Sequence, residues 1–372
     1  MEGKKLVVIS HTEHRMRSDG MVFGWGPTVE EINYVSNFFE EVVHVGCIEK
    51  SQKIPESYRS YVNSNVTYLP IPMFGGKKII EKLGIIFKMP RIIMQIEKAL
   101  QNASHVQLRV PMGIGIFLIP YFSIRNRKFI FWVKYANNWG DRSPKIGFRL
   151  QRFMLKKNWL NCNVTINGNW FKQQSHCLSF ENPCLYDCEI LNSIKINKIK
   201  TYSAPFKLLF VGRIEQEKGV GLILDWLSSV DLTKIEKFTL AGEGKDLDYF
   251  FKMTLDLGLS HKINFVGAKS REELHLLYKQ HHFFLFPTMA SEGFPKVIAE
   301  AMAFGCIPVT SDVSSLKEFL INSHAGLSWT EFIAQDIDDV MISDELLGNG
   351  YIFARKYTFE NYFARLRKEI FT

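Results

Sequence analysis

Two basic residues in the second half of the chain are spaced so that they could bind a phosphate. Arg213 and Lys218 are five positions apart and follow the apolar run Leu208–Val211. A guanidinium and an ammonium at the end of a strand, next to a helix N-terminus, make an anion pocket. We expect a phosphate-binding turn here, although an Arg and a Lys taken alone are more often solvated surface residues.

Two carboxylates form a second candidate group. Glu292 and Glu300 follow the apolar strand His282–Phe286 and are separated by slightly more than two helical turns. A helix that spans both would place them on one side. Each glutamate alone could simply be a cap or an exposed helix residue, but the sequence between them is apolar and rich in small residues, which is typical of a buried helix.

The same segment carries helix signals. Pro295 suits the first turn of a helix and Gly305 suits its end. The backbone N–H groups of Gly293 and Phe294 would then stand before the helix, where they could meet a phosphate oxygen.

The elements that position these groups are predicted as alternating strands and helices. We expect a helix from near Pro27 to about Phe39, and strands with the bounds Lys5–Ser10, Glu41–Val45, Val66–Leu69, Val106–Val110, Phe129–Val133, Val164–Ile166, Lys207–Val211, Lys237–Ala241, Lys262–Val266, His282–Phe286 and Cys306–Thr310. Such alternation favours parallel sheets covered by helices. Ligands of such sheets bind outside the carboxyl ends of the strands.

The chain length suggests two domains. We expect a first Rossmann-like domain over 1–190, a linker over 191–205 and a second domain, which carries the phosphate-binding candidates, over 206–350. The terminal helix, 351–372, could pack back onto the first domain.

The motifs of the second half, taken together, resemble the retaining glycosyltransferases of family 4, among the group 1 glycosyl transferases. The resemblance lies in GRIEQEKG (212–219), LAGEG (240–244), INFVGAKSREEL (263–274) and the E-x7-E pattern of SEGFPKVIAEAMAFGCIPV (291–309). It covers about 205–320. It implies an α/β protein of the GT-B fold, with two Rossmann-like parallel-sheet domains facing each other across a cleft.

The resemblance also implies roles for residues. Arg213 and Lys218 would hold the donor diphosphate and stabilise the leaving group, Glu300 would bind the ribose, and Glu292 would contact the donor sugar with help from the Gly293 and Phe294 amides. The turn at Gly242 and the loop that starts at Gly267 would border the base. The reaction would retain anomeric configuration, through front-face attack by the acceptor, without a metal or other cofactor.

Two departures from the family concern the first half. A long segment, HTEHRMRSDGMVFGWGP (11–27), replaces the usual glycine-rich loop, so Gly24 or Gly26 would be the phosphate-side glycine. The segment Lys134–Trp139 lacks the histidine that many members carry near the reacting sugar. Asn137, Asn138 or Trp139 could contact sugar there, and His11 or His14 could supply an imidazole.

Charge is distributed unevenly along the chain. Residues 1–205 hold 28 Lys and Arg against 15 Asp and Glu, whereas the remainder holds 18 against 23. This pattern predicts an anionic partner for the first half only. The segment 75–100 is basic and amphipathic, and it could lie in the headgroup region of an anionic membrane. Alternatively, it is a core-facing helix pair broken at Pro90.

Several other classes of protein are disfavoured. The Gly-x-Gly pairs at 24, 113 and 242 lack a third glycine, and there is no GxxxxGK[ST], so a dehydrogenase or a P-loop enzyme is not indicated. No RNA motif or zinc finger accompanies the basic charge, and nucleic acid is not an expected partner. His176, Cys177, Cys184 and Cys188 lack paired zinc-ligand spacing, which favours ordinary thiols over a metal site. No secretion signal or membrane span is indicated, so the expected location is the cytoplasm or the inner face of the membrane.

These observations lead to one main hypothesis. The protein would be a hexosyltransferase-type enzyme that moves a sugar from a UDP- or GDP-sugar to a saccharide or lipid-linked acceptor, in cell-surface polysaccharide or glycolipid assembly. The alternatives are a nucleotide-sugar epimerase or hydrolase on the same fold, and a nucleotide-sugar-binding subunit without turnover.

Overall fold

The computed structural model describes residues 3–49, 53–55, 57–74, 79–125, 127–141, 143–170, 172–197, 200–290, 293–313 and 315–371. The chain forms two compact units. Unit 1 comprises Met1–Glu181 with Phe363–Thr372, and unit 2 comprises Asn182–Tyr362. The division at Glu181 falls before the linker expected from the sequence.

Unit 1 is built on one sheet whose middle strands are parallel. Its strands are β1 (Lys5–Met16), β2 (Val22–Trp25), β3 (Glu41–Glu49), β4 (Tyr58–Ser60), β5 (Val66–Pro72), β6 (His105–Val110), β7 (Ile130–Tyr135), β8 (Val164–Ile166) and β9 (Cys177–Ser179). The parallel strands run in the order β5-β3-β1-β6-β7-β8-β9. β2 pairs antiparallel with the end of β1, and β4 pairs antiparallel with β2. The helices are α1 (Gly26–Ser36), α2 (Ile79–Leu100), α3 (Gly115–Ile124) and α4 (Ile146–Lys156).

The first strand is twice as long as its apolar run predicts. Beyond Ser10, Thr12 and His14 are buried, whereas His11 and Glu13 are exposed. The alternation of buried and exposed residues that marks a strand is therefore present, but polar residues occupy the buried positions. Hydrophobic periodicity alone could not detect this extension.

The basic segment 75–100 contains one helix instead of a pair broken at Pro90. Ile85, Met89, Ile92 and Ile96 are buried and form its inner face. Proline costs the helix a hydrogen bond, but here Pro90 is exposed, so water can reach the carbonyl that loses its partner. Residues 75–78 lie outside the described chain.

Unit 2 is a second parallel sheet in the order β12-β11-β10-β13-β14-β15. Its elements are α5 (Asp187–Asn197), β10 (Phe206–Val211), α6 (Val220–Leu227), β11 (Ile235–Ala241), α7 (Leu247–Asp256), β12 (Ile263–Gly267), α8 (Arg271–Gln280), β13 (Phe283–Phe286), α9 (Lys296–Ala303), β14 (Ile307–Thr310), α10 (Ser315–Ser323), β15 (Leu327–Ser328), α11 (Trp329–Ile333), α12 (Asp344–Ala354) and α13 (Phe359–Glu369). The strands β10 to β14 match the sequence prediction to within two residues.

Two helical regions, one in the expected linker and one at the C-terminal end, depart from the expected organisation. α5 occupies part of the segment expected to be a linker, and its Ile190 is fully buried in the core of unit 2. The terminal region contains α12 and α13, joined by the 3₁₀ turn Arg355–Tyr357, where one helix was expected. α13 begins in unit 2 and ends in unit 1.

Within the described residues, no helix is both long enough and apolar enough to span a membrane.

Candidate active site

The turn that follows β10 holds Arg213 and Lys218 in different environments. The Arg213 side chain is 63% exposed, and its guanidinium lies 2.9 Å from the Glu215 carboxylate and 3.7 Å from Glu217. Lys218 ends a 3₁₀ turn and is only 5% exposed. Desolvation, together with the positive charge of Arg213, lowers the pKa of Lys218. The turn therefore offers one exposed cation and one buried cation.

Close backbone packing joins the loops at the carboxyl ends of the strands. Gly212 donates its N–H to Ala241 at 3.0 Å, and Gly242 donates to Gly267 at 2.8 Å. A β-carbon on Gly242 would lie 1.9 Å from the Gly212 carbonyl oxygen. Only glycine fits at position 242, which explains the LAGEG turn physically.

The Arg213–Lys218 turn is also joined to the segment that follows β13. The Glu217 carbonyl accepts the Met289 N–H at 2.9 Å and the Thr288 hydroxyl at 3.2 Å. Gly219, with φ of 82°, packs where a β-carbon would lie 2.1 Å from the Pro287 carbonyl oxygen. The structure thus connects the basic turn directly to the chain that leads into α9.

Glu300 lies in the second turn of α9 and is held by a buried tyrosine. The Tyr278 hydroxyl donates to Glu300 Oε2 at 3.2 Å. Burial, and then the negative charge of Glu300, raises the pKa of Tyr278, so its hydroxyl stays protonated as a donor. Pro295 is the N-cap of α9, just before the first turn, and Gly305 follows its end with φ of 66°.

Phe294 anchors the start of α9 with its side chain. It is 6% exposed, and its ring lies 5.2 Å from Phe319, 5.2 Å from Phe353 and 5.1 Å from Tyr357. A contribution of Phe294 to ligand binding would therefore come from its backbone. Glu292 lies outside the described residues.

Tyr278 is a site residue that motif reading missed. A capping box begins its helix: Ser270 accepts the Glu273 N–H and the Glu273 side chain accepts the Ser270 N–H. That signal is visible in the sequence as SREE and fixes the start of α8. The partnership of Tyr278 with Glu300 depends on the packing of α8 against α9, which the sequence does not indicate.

In unit 1, the residues predicted for the acceptor side differ in accessibility. His11 is exposed and lies in the polar extension of β1. Asn137 is exposed, and its side-chain oxygen accepts the Asn138 N–H at 2.8 Å. Trp139 is 3% exposed and packs edge-on against Tyr135 in the core. The interpretation of Trp139 as a sugar contact is corrected, because its ring is not available to a ligand.

The predicted phosphate-side glycines are already engaged. The Gly26 N–H donates to the Ser57 carbonyl at 2.9 Å, and a β-carbon on Gly26 would lie 2.6 Å from that oxygen. Gly24 lies in β2 opposite His14. Because neither glycine has a side chain, Gly24 can pack closely against His14 and Gly26 can pack closely against Ser57.

A buried ion cluster in unit 1 was not anticipated. Glu31 of α1 lies 2.5 Å from Arg109 and 2.7 Å from Lys134, and the three side chains are at most 8% exposed. Arg109 and Lys134 stand in the buried strands β6 and β7. A charged residue within an apolar strand needs a counter-charge, and this is the sequence signal that could have revealed the cluster.

A second buried network fixes the extension of β1 that carries His11. His14 contacts the Cys47 carbonyl at 3.2 Å and the Tyr61 hydroxyl at 2.8 Å, and Tyr61 in turn lies 2.5 Å from His44 Nδ1. The chain of hydrogen bonds continues from His44 Nε2 to the Ser10 hydroxyl at 2.8 Å. Neutral imidazoles satisfy all these contacts if each Nδ1 donates and each Nε2 accepts.

The cysteines do not come together in a metal site among the described residues, where no group of three or more His, Cys, Asp or Glu could hold an ion. Cys177 belongs to unit 1, whereas Cys184 and Cys188 belong to unit 2.

Comparison with known proteins finds a family similarity in the second half of the chain. Residues 192–348 match the family model described as glycosyl transferases group 1. A glycosyltransferase of Methanocaldococcus jannaschii, itself uncharacterised, is 30% identical over 168 residues, which is 43% of this chain and 43% of that protein. The chain thus matches less than half of the length of this relative.

Solved structures resemble the whole chain in fold. Sucrose-phosphate synthase from Thermosynechococcus elongatus has a TM-score of 0.67 at 14% identity, with 99% of each chain covered. Anabaena HepE in complex with UDP has a TM-score of 0.67 at 12% identity, with 98% of each chain covered. The protein therefore has the α/β GT-B fold, and its residues 192–348 are similar to the group 1 glycosyl transferases.

Proposed function

We propose that the protein is a retaining glycosyltransferase that transfers a hexosyl group from a nucleoside diphosphate sugar, UDP- or GDP-linked, to a saccharide or lipid-linked acceptor. The observation that carries this proposal is the set of loops joined at the carboxyl ends of β10 to β13, with Arg213, Lys218 and Glu300 beside them. The group 1 family match over the same residues supports it, as does the UDP complex of the similarly folded HepE.

The two cations would bind the diphosphate. Arg213 is exposed and paired with two glutamates across solvent, so it can turn to a ligand at small cost. Lys218 is buried, and an anion brought close to it would offset the desolvation that now lowers its pKa. Positive charge held in a poorly hydrated place stabilises the leaving diphosphate as the glycosidic bond breaks.

The remaining donor contacts follow from the loops and α9. Glu300, oriented by Tyr278, would accept hydrogen bonds from the ribose hydroxyls. The backbone at Gly242 and Gly267 would border the base. Gly293 and Phe294 would offer their amides to a phosphate or sugar oxygen, and Glu292 would contact sugar hydroxyls.

The transfer step would take place on one face of the sugar. The bond from the anomeric carbon to the diphosphate oxygen breaks, and a bond to the acceptor oxygen forms on the same face. The acceptor hydroxyl proton passes to the leaving diphosphate, so the charges balance without a metal or other cofactor. Anomeric configuration is retained.

Unit 1 would serve the acceptor. His11 and Asn137 are exposed and polar, and they remain our choice for acceptor contacts. Gly26 could donate its N–H to the donor only after releasing the hydrogen bond to the Ser57 carbonyl. The excess of basic residues in 51–200, with 23 Lys and Arg against 7 Asp and Glu, suits a lipid-linked acceptor held at an anionic membrane surface, as in polysaccharide or glycolipid assembly.

The decisive experiment is a thermal-shift panel with UDP, GDP, ADP and their common sugar conjugates. A ligand at 100 times its Kd adds about 2.7 kcal/mol to the free energy of unfolding. We expect one nucleotide series to stabilise the wild-type protein, Glu300→Ala to lose the shift, and Glu318→Ala, an exposed glutamate of α10, to keep it. An absence of any shift, or an equal shift in Glu300→Ala, would contradict the donor assignment.

Product analysis then separates transfer from the other reactions of nucleotide sugars. With donor but no acceptor, steady formation of an epimer or of free sugar would identify an epimerase or hydrolase. Turnover that requires an acceptor, and gives a product with the anomeric configuration of the donor, is the result expected of a retaining transferase.

A further inference from the structure

Unit 1 contains a cavity that the proposed transfer reaction does not use. Its volume is about 420 Å³, and Arg127, Asn158, Asn161 and Asn163 contribute polar groups to its wall. These residues precede β7 and β8, so the cavity lies at the amino ends of the parallel strands. Substrates of open α/β sheets bind at the carboxyl ends. The cavity therefore lies at the amino ends of the strands, whereas an acceptor is expected to bind at their carboxyl ends.

Arg127 gives the cavity an uncompensated positive charge. Its guanidinium lies over the Phe131 ring at 4.9 Å, and Nη2 donates to the Leu160 carbonyl. Nη1 is buried and has no hydrogen-bond partner among the described atoms. No acidic side chain is among the described residues that line the cavity. A guanidinium in a cavity wall that has no carboxylate among its described residues attracts an oxyanion.

The loop between α4 and β8 holds the cavity in shape. Asn158 and Asn161 adopt left-handed conformations, with φ of 52° and 43°. The Asn158 side chain accepts the Cys162 N–H at 3.2 Å, and Asn163 donates its side-chain N–H to the Glu369 carbonyl at 3.1 Å. The wall is therefore fixed by hydrogen bonds within unit 1 and does not need a ligand to form it.

We propose that this cavity binds a sugar that carries an anionic group, either a phosphate or a carboxylate. The positive charge of Arg127 would attract the anionic group, and asparagine amides can both donate to and accept from ring hydroxyls. Phe129 lines the same cavity, is partly exposed and offers apolar surface to the C–H face of a sugar ring. The volume lies within the range of small-molecule sites, about 300–1,000 Å³. The site is separate from the donor site of the proposed function.

Isothermal titration calorimetry at low salt tests this proposal, with glucose 6-phosphate, glucuronate and glucose as probes. The key variant is Asn161→Asp, because aspartate tolerates a left-handed conformation as asparagine does and places a negative charge in the cavity. Asn102→Asp is the matched control: Asn102 is also left-handed, with φ of 59°, and it does not line the cavity. Arg127→Gln removes the cation itself, and Arg213→Ala tests the donor site.

We expect at least one of the two acids to bind the wild-type protein more tightly than glucose. Asn161→Asp should weaken that binding about tenfold or more, the loss of roughly one charge-assisted hydrogen bond, and Asn102→Asp should leave it unchanged. The acid that binds more tightly identifies whether the site prefers a phosphate or a carboxylate.

Three results would overturn the proposal: no binding by either acid, equal binding of glucose, or unchanged affinity in Asn161→Asp. Loss of acid binding in Arg213→Ala but not in Asn161→Asp would show that the probe binds at the donor site. That outcome would overturn the cavity proposal while leaving the proposed function standing. If Arg127→Gln fails to fold, Asn161→Asp still decides, because it leaves Arg127 and its bond to Leu160 in place.

Discussion

The Tyr278 hydroxyl donates a hydrogen bond to the Glu300 carboxylate at 3.2 Å, and Tyr278 is itself fully buried. The ring of Tyr278 stacks on Phe304 with the two ring centroids 6.3 Å apart. The stacking of the ring and the hydrogen bond of the hydroxyl together fix the position of the Tyr278 side chain. Glu300, the residue proposed to bind the donor ribose, is held in place from within the domain.

Tyr278→Phe should weaken nucleotide binding without removing it. The substitution keeps the ring and removes the donor, so Glu300 loses one restraint but not its charge. We expect a loss of about 1 kcal/mol in the free energy of unfolding and an increase of several-fold in nucleotide Kd. Tyr202→Phe is the control, because its hydroxyl donates to the Gly305 carbonyl at 2.6 Å and not to Glu300. Equal effects of the two variants on Kd would show that Tyr278 does not orient Glu300.

Lys218→Met should separate stability from function. Burial lowers the pKa of Lys218, which means that its charge is less favourable in the folded protein than in the unfolded chain. Removing the charge should therefore leave the free energy of unfolding unchanged or higher, while nucleotide affinity falls about tenfold or more. Urea unfolding and nucleotide titration measure the two quantities. A variant that is destabilised but binds normally would rule out the phosphate role.

The second half of the chain was predictable because its signals are local. The strands β10 to β13 are short apolar runs that end in, or are followed by, glycine or proline, and the residues proposed to bind the donor follow those strands directly. Gly242 illustrates the physical basis of such a motif, since a β-carbon there would lie 1.9 Å from the Gly212 oxygen.

In the first half of the chain, the sheet was predictable from the sequence, but the surroundings of the candidate site residues were not. Thr12 and His14 extend β1 with polar residues at buried positions, so the hydrophobic pattern stops at Ser10 although the strand continues to Met16. Trp139 looked like a loop residue next to two asparagines, but its ring is in the core. The partnership of Glu31 with Lys134 joins positions about a hundred residues apart, and no spacing rule connects them.

Gly242→Ala should disrupt the donor loops, whereas Gly258→Ala should not. Both glycines have positive φ, 146° and 68°, but no atom lies within 4 Å of a β-carbon placed on Gly258. Gly258→Ala therefore carries only the cost of a left-handed alanine, about 1–2 kcal/mol. Gly242→Ala adds a backbone collision, so we expect a larger drop in Tm and loss of nucleotide binding. Similar Tm values for the two variants would contradict the close approach of the loops.

Phe87→Gln should reduce binding to anionic liposomes. Phe87 is 87% exposed on α2, close to the exposed side chains of Lys88 and Arg91, an arrangement suited to an anionic bilayer surface. Phe251→Gln is the matched control, since Phe251 is 54% exposed on α7 in the acidic half of the chain. Liposome flotation at low salt should show weaker retention of Phe87→Gln alone. No retention of the wild-type protein, or equal retention of both variants, would contradict the proposed membrane contact.

The stability of the protein should fall as the pH drops from about 6.5 to about 4, and His14 should account for part of that fall. Burial lowers the pKa of His14 from 6.5 to about 4. Between these values the unfolded chain takes up a proton at this position and the folded protein does not, so acid favours unfolding. The effect is absent above the unfolded pKa and complete below the folded one, and it amounts to about 3 kcal/mol for His14 alone.

The hydrogen bonds of His14 give the structural reason for this dependence. His14 Nε2 accepts from Tyr61 if Nδ1 donates to Cys47, so a second proton on the ring would displace the Tyr61 hydroxyl proton. His14→Gln should therefore flatten the dependence of the free energy of unfolding on pH, measured by urea unfolding at pH 7.5, 6.0 and 5.0. His261→Gln, at an exposed position of unit 2, should keep the wild-type slope. A slope unchanged in His14→Gln would mean that the buried network does not control the response of unit 1 to acid.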